Sequence, residues 1–259
     1  MSRLVHAVYF SPTHSSKRLA LLLAQGLARK LQAGVLAHDW TLPAGRQEPV
    51  SLGADDVLVF GFPVYGGRVP ELCLPCLQTL EGAGRPALVL AVYGNRHYDD
   101  ALLEAGDLLV AQGFTVAAAG AVIAEHCIAP AVAAGRPDAR DLERIDDFAA
   151  SAAEAVEQGR DAFPRLPGAR PYKRLLPSAP AKPATLASCT RCGTCAEVCP
   201  LGIVDKADPS RVGEGCLRCC ACVKFCPQGA KTFQDERQEA IRSWLEASCR
   251  ERREPEFFL

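Results

Sequence analysis

Apolar residues in the first 160 positions of this 259-residue chain follow two alternating spacings. Short continuous apolar runs are typical of strands covered on both faces of a parallel sheet. Longer stretches repeat an apolar residue every three or four positions, as on one helix face. The runs predict strands at Leu4–Phe10, Val35–Trp40, Val57–Phe60, Ala87–Tyr93 and Phe114–Ile123. The helical spacing predicts helices at Ser15–Leu31, Pro70–Leu80 (shortened by Pro75), Asp99–Gln112 and Ala139–Gln158. This alternation predicts an α/β domain at residues 1–160, with a doubly wound, five-stranded parallel sheet.

The pattern changes after the last of these helices. The segment from Phe163 to Pro183 is too rich in proline for a long helix or a central strand. Its prolines are Pro164, Pro167, Pro171, Pro177, Pro180 and Pro183. We therefore predict an extended linker at residues 161–186, a cysteine-rich domain at 187–234, and a C-terminal helix and tail at 235–259, the helix at Asp235–Cys249.

Composition is ordinary for a globular protein, with one exception. Hydrophobic residues make up 49% and charged residues 23%, and 29 basic residues against 30 acidic ones leave a net charge of −1. No nucleic-acid partner is expected from such a balance. The start of the chain has the pattern of a strand and not of a secretion signal, and no window reaches the roughly 18 apolar residues of a membrane span. We expect a cytoplasmic protein, whose 13 cysteines are metal ligands or redox groups.

Eight cysteines form two copies of one motif. The copies are Cys189-x2-Cys192-x2-Cys195-x3-Cys199-Pro200 and Cys216-x2-Cys219-x2-Cys222-x3-Cys226-Pro227. This spacing binds [4Fe–4S] clusters in bacterial proteins, where the fourth cysteine of each run holds the other run's cluster. It predicts one cluster on Cys189, Cys192, Cys195 and Cys226, and a second on Cys216, Cys219, Cys222 and Cys199. Zinc held by four cysteines is the alternative, but zinc sites usually pair two CxxC knuckles without a third cysteine two residues on.

The remaining five cysteines have no such motif. Cys220 lies inside the second run but off its spacing, and we interpret it as a packed small residue. Cys73 and Cys76 form a CxxC pair in an apolar sequence, with no neighbouring cation or base to lower a thiol pKa, so buried filler is favoured over a redox dithiol. Cys127 follows the fifth predicted strand and is placed to line a ligand pocket. Cys249 has no motif around it.

Three polar loops follow predicted strands and should meet at the carboxyl edge of the sheet, where open α/β sheets bind ligands. The first loop brings hydroxyls to a helix N-terminus, which suits a phosphate: Ser11, Thr13, His14, Ser15 and Ser16. The other two offer aromatic rings, glycines and polar groups to a flat ligand: Pro63, Val64, Tyr65, Gly66 and Gly67, then Tyr93, Gly94, Asn95, His97, Tyr98 and Asp99. Any one loop could be a simple helix cap or a packed tyrosine. Together they indicate an FMN site, and NAD or FAD is disfavoured because no G-x-G-x-x-G follows the first strand.

On these motifs, residues 1–160 resemble flavodoxins and residues 187–234 resemble two-cluster bacterial ferredoxins. The flavodoxin phosphate loop is matched at Ser11, Thr13 and Ser16, with His14 where glycine is usual. The whole chain is thus similar to a flavodoxin–ferredoxin fusion, or flavoferredoxin. The resemblance implies a flavodoxin-like domain that binds FMN, followed by a small α+β domain with two [4Fe–4S] clusters.

Two classes of function fit this combination. The first is electron transfer, in which the chain relays electrons between FMN and the clusters and links one-electron and two-electron redox partner proteins. The alternative is an FMN-dependent oxidoreductase of a small molecule, with His97, Tyr98, Tyr65 and Cys127 as the candidate groups near the flavin. A flavodoxin-like part that lacks flavin and only docks a partner is a third possibility. The linker is expected to bring one cluster to the flavin edge of the sheet.

Overall fold

The five predicted strands are all present in the computed structural model, which describes residues 2–175 and 181–259. They are β1 (Leu4–Tyr9), β2 (Gly34–Asp39), β3 (Val57–Pro63), β4 (Pro86–Tyr93) and β5 (Thr115–Ile123). The strands are parallel and lie in the order β2-β1-β3-β4-β5. This is the flavodoxin-like order, whose direction of winding reverses between β1 and β3. The chain therefore has a flavodoxin-like α/β fold.

Four helices cover both faces of the sheet, three of them connecting strands and the fourth following β5. They are α1 (Ser15–Leu31), α2 (Leu74–Leu77), α3 (Ala101–Ala111) and α4 (Ala139–Glu157). Apolar residues of α1 and α4 form one core with the sheet, and those of α2 and α3 form the other. The predicted helix at Pro70–Leu80 is shorter than expected, because a 3-10 turn at Glu71–Cys73 precedes α2 and Pro75 stands in its first turn.

The cysteine-rich segment forms a small α+β unit. Its strands β6 (Ala184–Thr185) and β7 (Lys231–Thr232) pair antiparallel, and its helices α5 (Thr194–Glu197) and α6 (Ala221–Lys224) each begin inside one cysteine motif. The longer helix α7 (Glu236–Ser248) follows. None of the helices in the described parts of the chain combines the length and the hydrophobicity of a membrane span.

A sixth strand corrects the prediction of a five-stranded, wholly parallel sheet. The end of the chain forms β8 (Glu256–Phe258), which runs antiparallel to β5 with Phe257 opposite Gly120. The ring of Phe257 stacks on Phe148 of α4, with centroids 4.3 Å apart. A Cβ at Gly120 would lie only 2.9 Å from this ring, so the missing side chain makes room for the terminal strand.

The proline-rich segment crosses α3 and is held there by hydrogen bonds. The backbone N–H groups of Ala169 and Lys173 donate to the two carboxylate oxygens of Asp100, at 2.9 and 2.6 Å. The hydroxyl of Tyr172 donates to Asp107 of α3. These contacts fix the segment as far as Lys173, whereas Pro177 and Pro180 of the predicted linker lie outside the described residues.

Candidate functional site

The cysteine-rich unit packs on the carboxyl edge of the parallel sheet. The ring of His14, in the loop after β1, lies 4.5 Å from the ring of Phe225. Arg46, in the loop after β2, donates from Nη2 to the carbonyl oxygen of Pro200 at 2.6 Å. Leu217 packs against the core between the sheet and α3. Two loops of the sheet edge therefore contact the unit that carries the cysteine motifs.

A cavity of about 370 Å³ lies at this junction. Its size is within the range of small-molecule and cofactor sites. The loops after β1, β3, β4 and β5 form one part of its wall, and the cysteine-rich unit and α7 form the other. The lining residues are Thr13, Ser15, Ser16, Pro63, Val64, Tyr65, Gly66, Val92, Tyr93, Gly94, Ala124, Glu125, His126, Cys127, Ile128, Leu217, Arg218, Cys219, Arg237 and Ile241. We call this space the edge cavity.

All three loops that the sequence singled out contribute to the edge cavity. The predicted residues of these loops that line the cavity are Thr13, Ser15, Ser16, Pro63, Val64, Tyr65, Gly66, Tyr93 and Gly94. They converge because β1, β3 and β4 are adjacent and parallel, so that their carboxyl ends share one edge. The reversal of winding between β1 and β3 opens a crevice at that edge.

Ser11 and His14 order the first loop and are not part of the described cavity wall. Ser11 is buried, and its Oγ accepts a hydrogen bond from the backbone N–H of Lys17 at 2.9 Å. His14 caps α1 with φ 68° and ψ −2°, the left-handed conformation that glycine adopts most easily. Its imidazole pKa is lowered by burial and then by Lys17. The histidine thus keeps the backbone shape expected of glycine and adds the contact with Phe225.

Two residues predicted for the third loop bind the C-terminal tail instead, and in the described chain they are not part of the cavity wall. Asn95 is buried, and its side-chain amide donates to the carbonyl oxygens of Cys249 and Glu251 at 2.9 and 2.8 Å. Tyr98 donates from its hydroxyl to Glu256 at 2.9 Å. The loop after β4 therefore anchors the segment between α7 and β8.

Asp99, His97 and Gly67 form a second group away from the described cavity wall. The carboxylate of Asp99 accepts from Nζ of Lys173 at 2.6 Å, and its backbone N–H donates to Nδ1 of His97 at 2.8 Å. Gly67 has φ 91°, and a Cβ there would come within 2.3 Å of Asp99. This group fastens the proline-rich segment to the sheet edge.

The structure adds residues that the sequence analysis did not select. The loop after β5 contributes Glu125, His126 and Ile128 to the edge cavity. Nδ1 of His126 accepts from the backbone N–H of Ile128 at 3.2 Å, and burial, then Arg96, lowers its pKa to about 4. Glu125 lies 3.7 Å from Nζ of Lys224. The position of this loop after the fifth predicted strand indicates that its residues lie at the ligand-binding edge, but only Cys127 was selected from it.

The eight motif cysteines surround two further cavities. One is lined by Cys189, Cys192, Cys195 and Cys226. The other is lined by the motif cysteines Cys199, Cys216, Cys219 and Cys222, and also by Cys220. Each cavity takes three cysteines from one motif and the fourth from the other, and these are the two sets that the spacing predicts. We call them the first and second cysteine cavities.

The two cysteine cavities differ in their surroundings. In the second cavity, burial raises the pKa of Cys219 to about 12 and that of Cys222 to about 11. In the first, Cys192 is exposed. Within residues 2–175 and 181–259, no group of three or more Cys, His, Asp and Glu side chains is arranged to hold a metal ion.

The second cysteine cavity adjoins the edge cavity. Leu217 and Cys219 line both spaces. In the described chain the first cysteine cavity shares no lining residue with the edge cavity. Its Cys195 packs instead in one small cluster with Cys199 and Cys222 of the second cavity. The three spaces are therefore arranged in series, with the second cysteine cavity in the middle.

The cysteines outside the motifs are largely buried. Cys73 and Cys76 lie in the core of the α/β domain, and burial raises the pKa of both thiols. Cys249 packs with Ala129 at the end of α7. Cys127 lines the edge cavity, as its position after β5 suggested.

Comparison with known proteins gives distant likenesses to flavodoxin-like structures. No family model matches the chain, and no curated protein matches it. An archaeal flavodoxin aligns with 60% of this chain and 99% of its own, at 14% identity and a TM-score of 0.41. The flavodoxin of Streptococcus pneumonia TIGR4 aligns with 60% of this chain and 98% of its own, at 18% identity and a TM-score of 0.41. Rubredoxin oxygen:oxidoreductase of Desulfovibrio gigas aligns with 61% of this chain and 37% of its own, at 16% identity and a TM-score of 0.45. The fold assignment rests on the strand order of the chain itself.

Proposed function

We propose that this chain is an electron-transfer protein that binds FMN in the edge cavity and one [4Fe–4S] cluster in each cysteine cavity. When bound, the flavin exchanges one or two electrons and each cluster exchanges one, so the chain would link two-electron and one-electron redox partners. The observation that carries the proposal is that Leu217 and Cys219 wall both the edge cavity and the second cysteine cavity. One cluster ligand would thereby stand beside the flavin.

The two cysteine cavities fit cubane clusters better than zinc. A [4Fe–4S] cluster is held by four cysteine thiolates, and one thiolate on each iron leaves the sulfurs spread around a common space. Four motif cysteines surround each cavity in this way, and Cys220 also lines the second. The cluster in the second cavity would be proximal to the flavin, and the one in the first would be distal.

The first loop fits the phosphate of FMN. In the described chain, the hydroxyls of Thr13, Ser15 and Ser16 take part in no hydrogen bond within the protein, whereas Ser11 already accepts one from Lys17. The three hydroxyls stand at the N-terminus of α1, which has 17 residues and no acidic residue in its first turn. A helix N-terminus favours an anion. We therefore infer that Thr13, Ser15 and Ser16 bind the phosphate and that Ser11 shapes the loop.

A carrier is favoured over a reductase because three of the four candidate proton donors, His97, Tyr98 and Tyr65, are engaged or weakly acidic. The fourth, Cys127, interacts with Cys220, which lowers its pKa. His97 accepts from the backbone of Asp99, and Tyr98 donates to Glu256. Tyr65 lines the edge cavity, but burial raises its pKa well above the usual value. His126, with a pKa of about 4, is neutral at pH 7. A reductase of small molecules would need a proton donor beside the flavin, and the histidines and tyrosines supply none that is ready to act.

The proposal is tested first by composition. Protein purified without oxygen should contain about eight iron and eight sulfide per chain, as two cubane clusters require, and one FMN. A content near four iron, a zinc stoichiometry, or protein that takes up no flavin would contradict it.

The relay is then tested by rapid mixing of oxidised protein with a reduced one-electron donor. Replacing Cys219 by Ala should remove the proximal cluster and slow flavin reduction strongly at unchanged flavin content. Cys76→Ala, a buried thiol away from all three cavities, is the matched control. Flavin reduction at the wild-type rate in Cys219→Ala protein that lacks the cluster would refute the relay.

A further inference from the structure

The cysteine-rich unit and α7 add two cations to the edge cavity. Of its charged lining residues, the α/β domain supplies Glu125, and the C-terminal part supplies Arg218 and Arg237. Glu125 is paired with Lys224, which lies outside the cavity wall. The charge facing the cavity is therefore positive, and it comes from beyond the flavodoxin-like domain.

The two arginines differ in their partners. Arg218 donates from Nη1 to Oε1 of Gln238 at 3.3 Å, and its Nη2 lies 3.6 Å from a carboxylate oxygen of Asp235. Arg237 is exposed, and it has no hydrogen bond or ion pair with any other residue of the described chain. Arg237 is thus the cation of the cavity wall whose charge is not paired within the described chain and can interact with a ligand.

Helix α7 sets Arg237 at the end of the cavity away from the phosphate loop. Ile241 and Leu245 of α7 pack with Ile128 and Ala129, in the loop after β5. The phosphate loop follows β1, and β5 is separated from β1 by β3 and β4. Three strand spacings of about 4.8 Å give a distance on the order of 14 Å. A flavin phosphate beside α1 would therefore direct the ring towards the loop after β5 and α7.

We propose that Arg237 binds the N1–C2=O edge of the FMN ring and stabilises its reduced form. This inference rests on the proposed FMN site. Uptake of two electrons and one proton, with the electrons supplied by the clusters or in a titration by dithionite, leaves one negative charge on that edge at neutral pH. A guanidinium is a planar fork of donors that matches two adjacent acceptors. Charge beside N1 is one of the means by which a protein tunes a flavin.

The test compares the holoprotein with three variants. Arg237→Gln removes the charge, Arg237→Lys retains it without the planar fork, and Arg242→Gln is the matched control. Arg242 is on the same helix, pairs with Glu239 and does not line the edge cavity. The flavin reduction potential is measured by titration with dithionite against a reference dye. Dissociation constants are measured separately for oxidised FMN and for riboflavin.

We expect Arg237→Gln to weaken the binding of reduced FMN, relative to oxidised FMN, by about tenfold. For a two-electron couple this lowers the potential by about 30 mV. Arg237→Lys should recover part of the shift, and Arg242→Gln should show none. Equal potentials in Arg237→Gln and Arg242→Gln would overturn the inference. So would weaker binding of oxidised FMN with unchanged riboflavin, because Arg237 would then contact the phosphate. If the wild-type protein bound no flavin, the proposed function itself would fail.

Discussion

The rings of His14 and Phe225 are in contact, with centroids 4.5 Å apart and planes inclined at 41°. His14 belongs to the loop that approaches α1, and Phe225 directly precedes the motif cysteine Cys226. One aromatic contact thus joins the proposed phosphate site to the proposed cluster unit. It also gives a structural role to a histidine at a position where the loop geometry alone favours glycine.

Substitutions at His14 should separate the backbone effect from the ring contact. His14→Ala loses the contact and keeps a side chain at φ 68°, whereas His14→Gly loses the contact and relieves the backbone strain. We expect His14→Ala to be the less stable of the two by about 1 kcal/mol. Denaturation of the holoprotein, followed by flavin fluorescence, measures this difference. Equal stability of the two variants would show that the left-handed backbone at this position carries no strain.

Both variants should also loosen the cysteine-rich unit. Loss of an aromatic pair costs on the order of 1 kcal/mol beyond the buried area. Faster amide hydrogen exchange at residues 216–226 than in the wild type is therefore expected. Unchanged exchange there would mean that the other contacts of the unit, such as Arg46 with Pro200, hold it alone.

The hydroxyls of the first loop should discriminate FMN from riboflavin. Single Thr13→Ala, Ser15→Ala and Ser16→Ala variants should each weaken FMN by about 1.5–3 kcal/mol, since each removes a hydrogen bond to a charged group, and should leave riboflavin nearly unchanged. Ser11→Ala should weaken both ligands, because its Oγ holds the backbone of Lys17. Fluorescence titrations with the two ligands measure the difference. Parallel losses for FMN and riboflavin in the first three variants would place the phosphate elsewhere.

Because each proposed cluster takes its fourth cysteine from the other motif, loss of that cysteine should damage the two clusters unequally. Cys199→Ala should damage the cluster of the second cysteine cavity more than that of the first, because Cys199 lines the second cavity. Cys220→Ala should retain both clusters, although Cys220 also lines that cavity, since it is off the motif spacing. Iron content and electron paramagnetic resonance of the reduced protein distinguish the two clusters. Loss confined to the first-cavity cluster would show that the cysteine sets are not crossed.

Acid should destabilise the protein through His126. Burial, then Arg96, lowers its pKa to about 4, below the value of about 6.5 in an unfolded chain. A histidine with a depressed pKa contributes full stability above pH 6.5, and that contribution is lost as the pH falls towards 4. The contribution of His126 to the free energy of unfolding is at most about 3 kcal/mol. Urea midpoints between pH 8 and 5 should therefore decline less steeply in His126→Gln than in the wild type, and identical slopes would contradict this assignment.

Much of the α/β domain was predictable because its signals are local. Continuous apolar runs identify β1, β3, β4 and β5, and the apolar spacing from Ser15 to Leu31 identifies α1 with the bounds observed. The helix at residues 70–80 was overestimated, since α2 covers only Leu74–Leu77; Pro75 lies in its first turn and has no N–H with which to continue a helix from the residues before it. Cysteine spacing predicted the two sets of motif cysteines that line the cysteine cavities, because each motif places three cysteines within a few residues of one another.

The tertiary structure decided what depends on contacts between distant parts of the chain. β8 has three residues, too few for a recognisable pattern, and it is a strand only because β5 offers a free edge beside Gly120. Asn95 was assigned to the flavin because of its loop, yet it binds the backbone of Cys249, 154 positions away. The approach of Arg237 to the edge cavity also depends on a contact between distant segments, because α7 packs on the loop after β5. Local sequence determines periodicity and motif spacing, whereas such pairings are set by which surfaces remain unpaired once the sheet and its helices have packed.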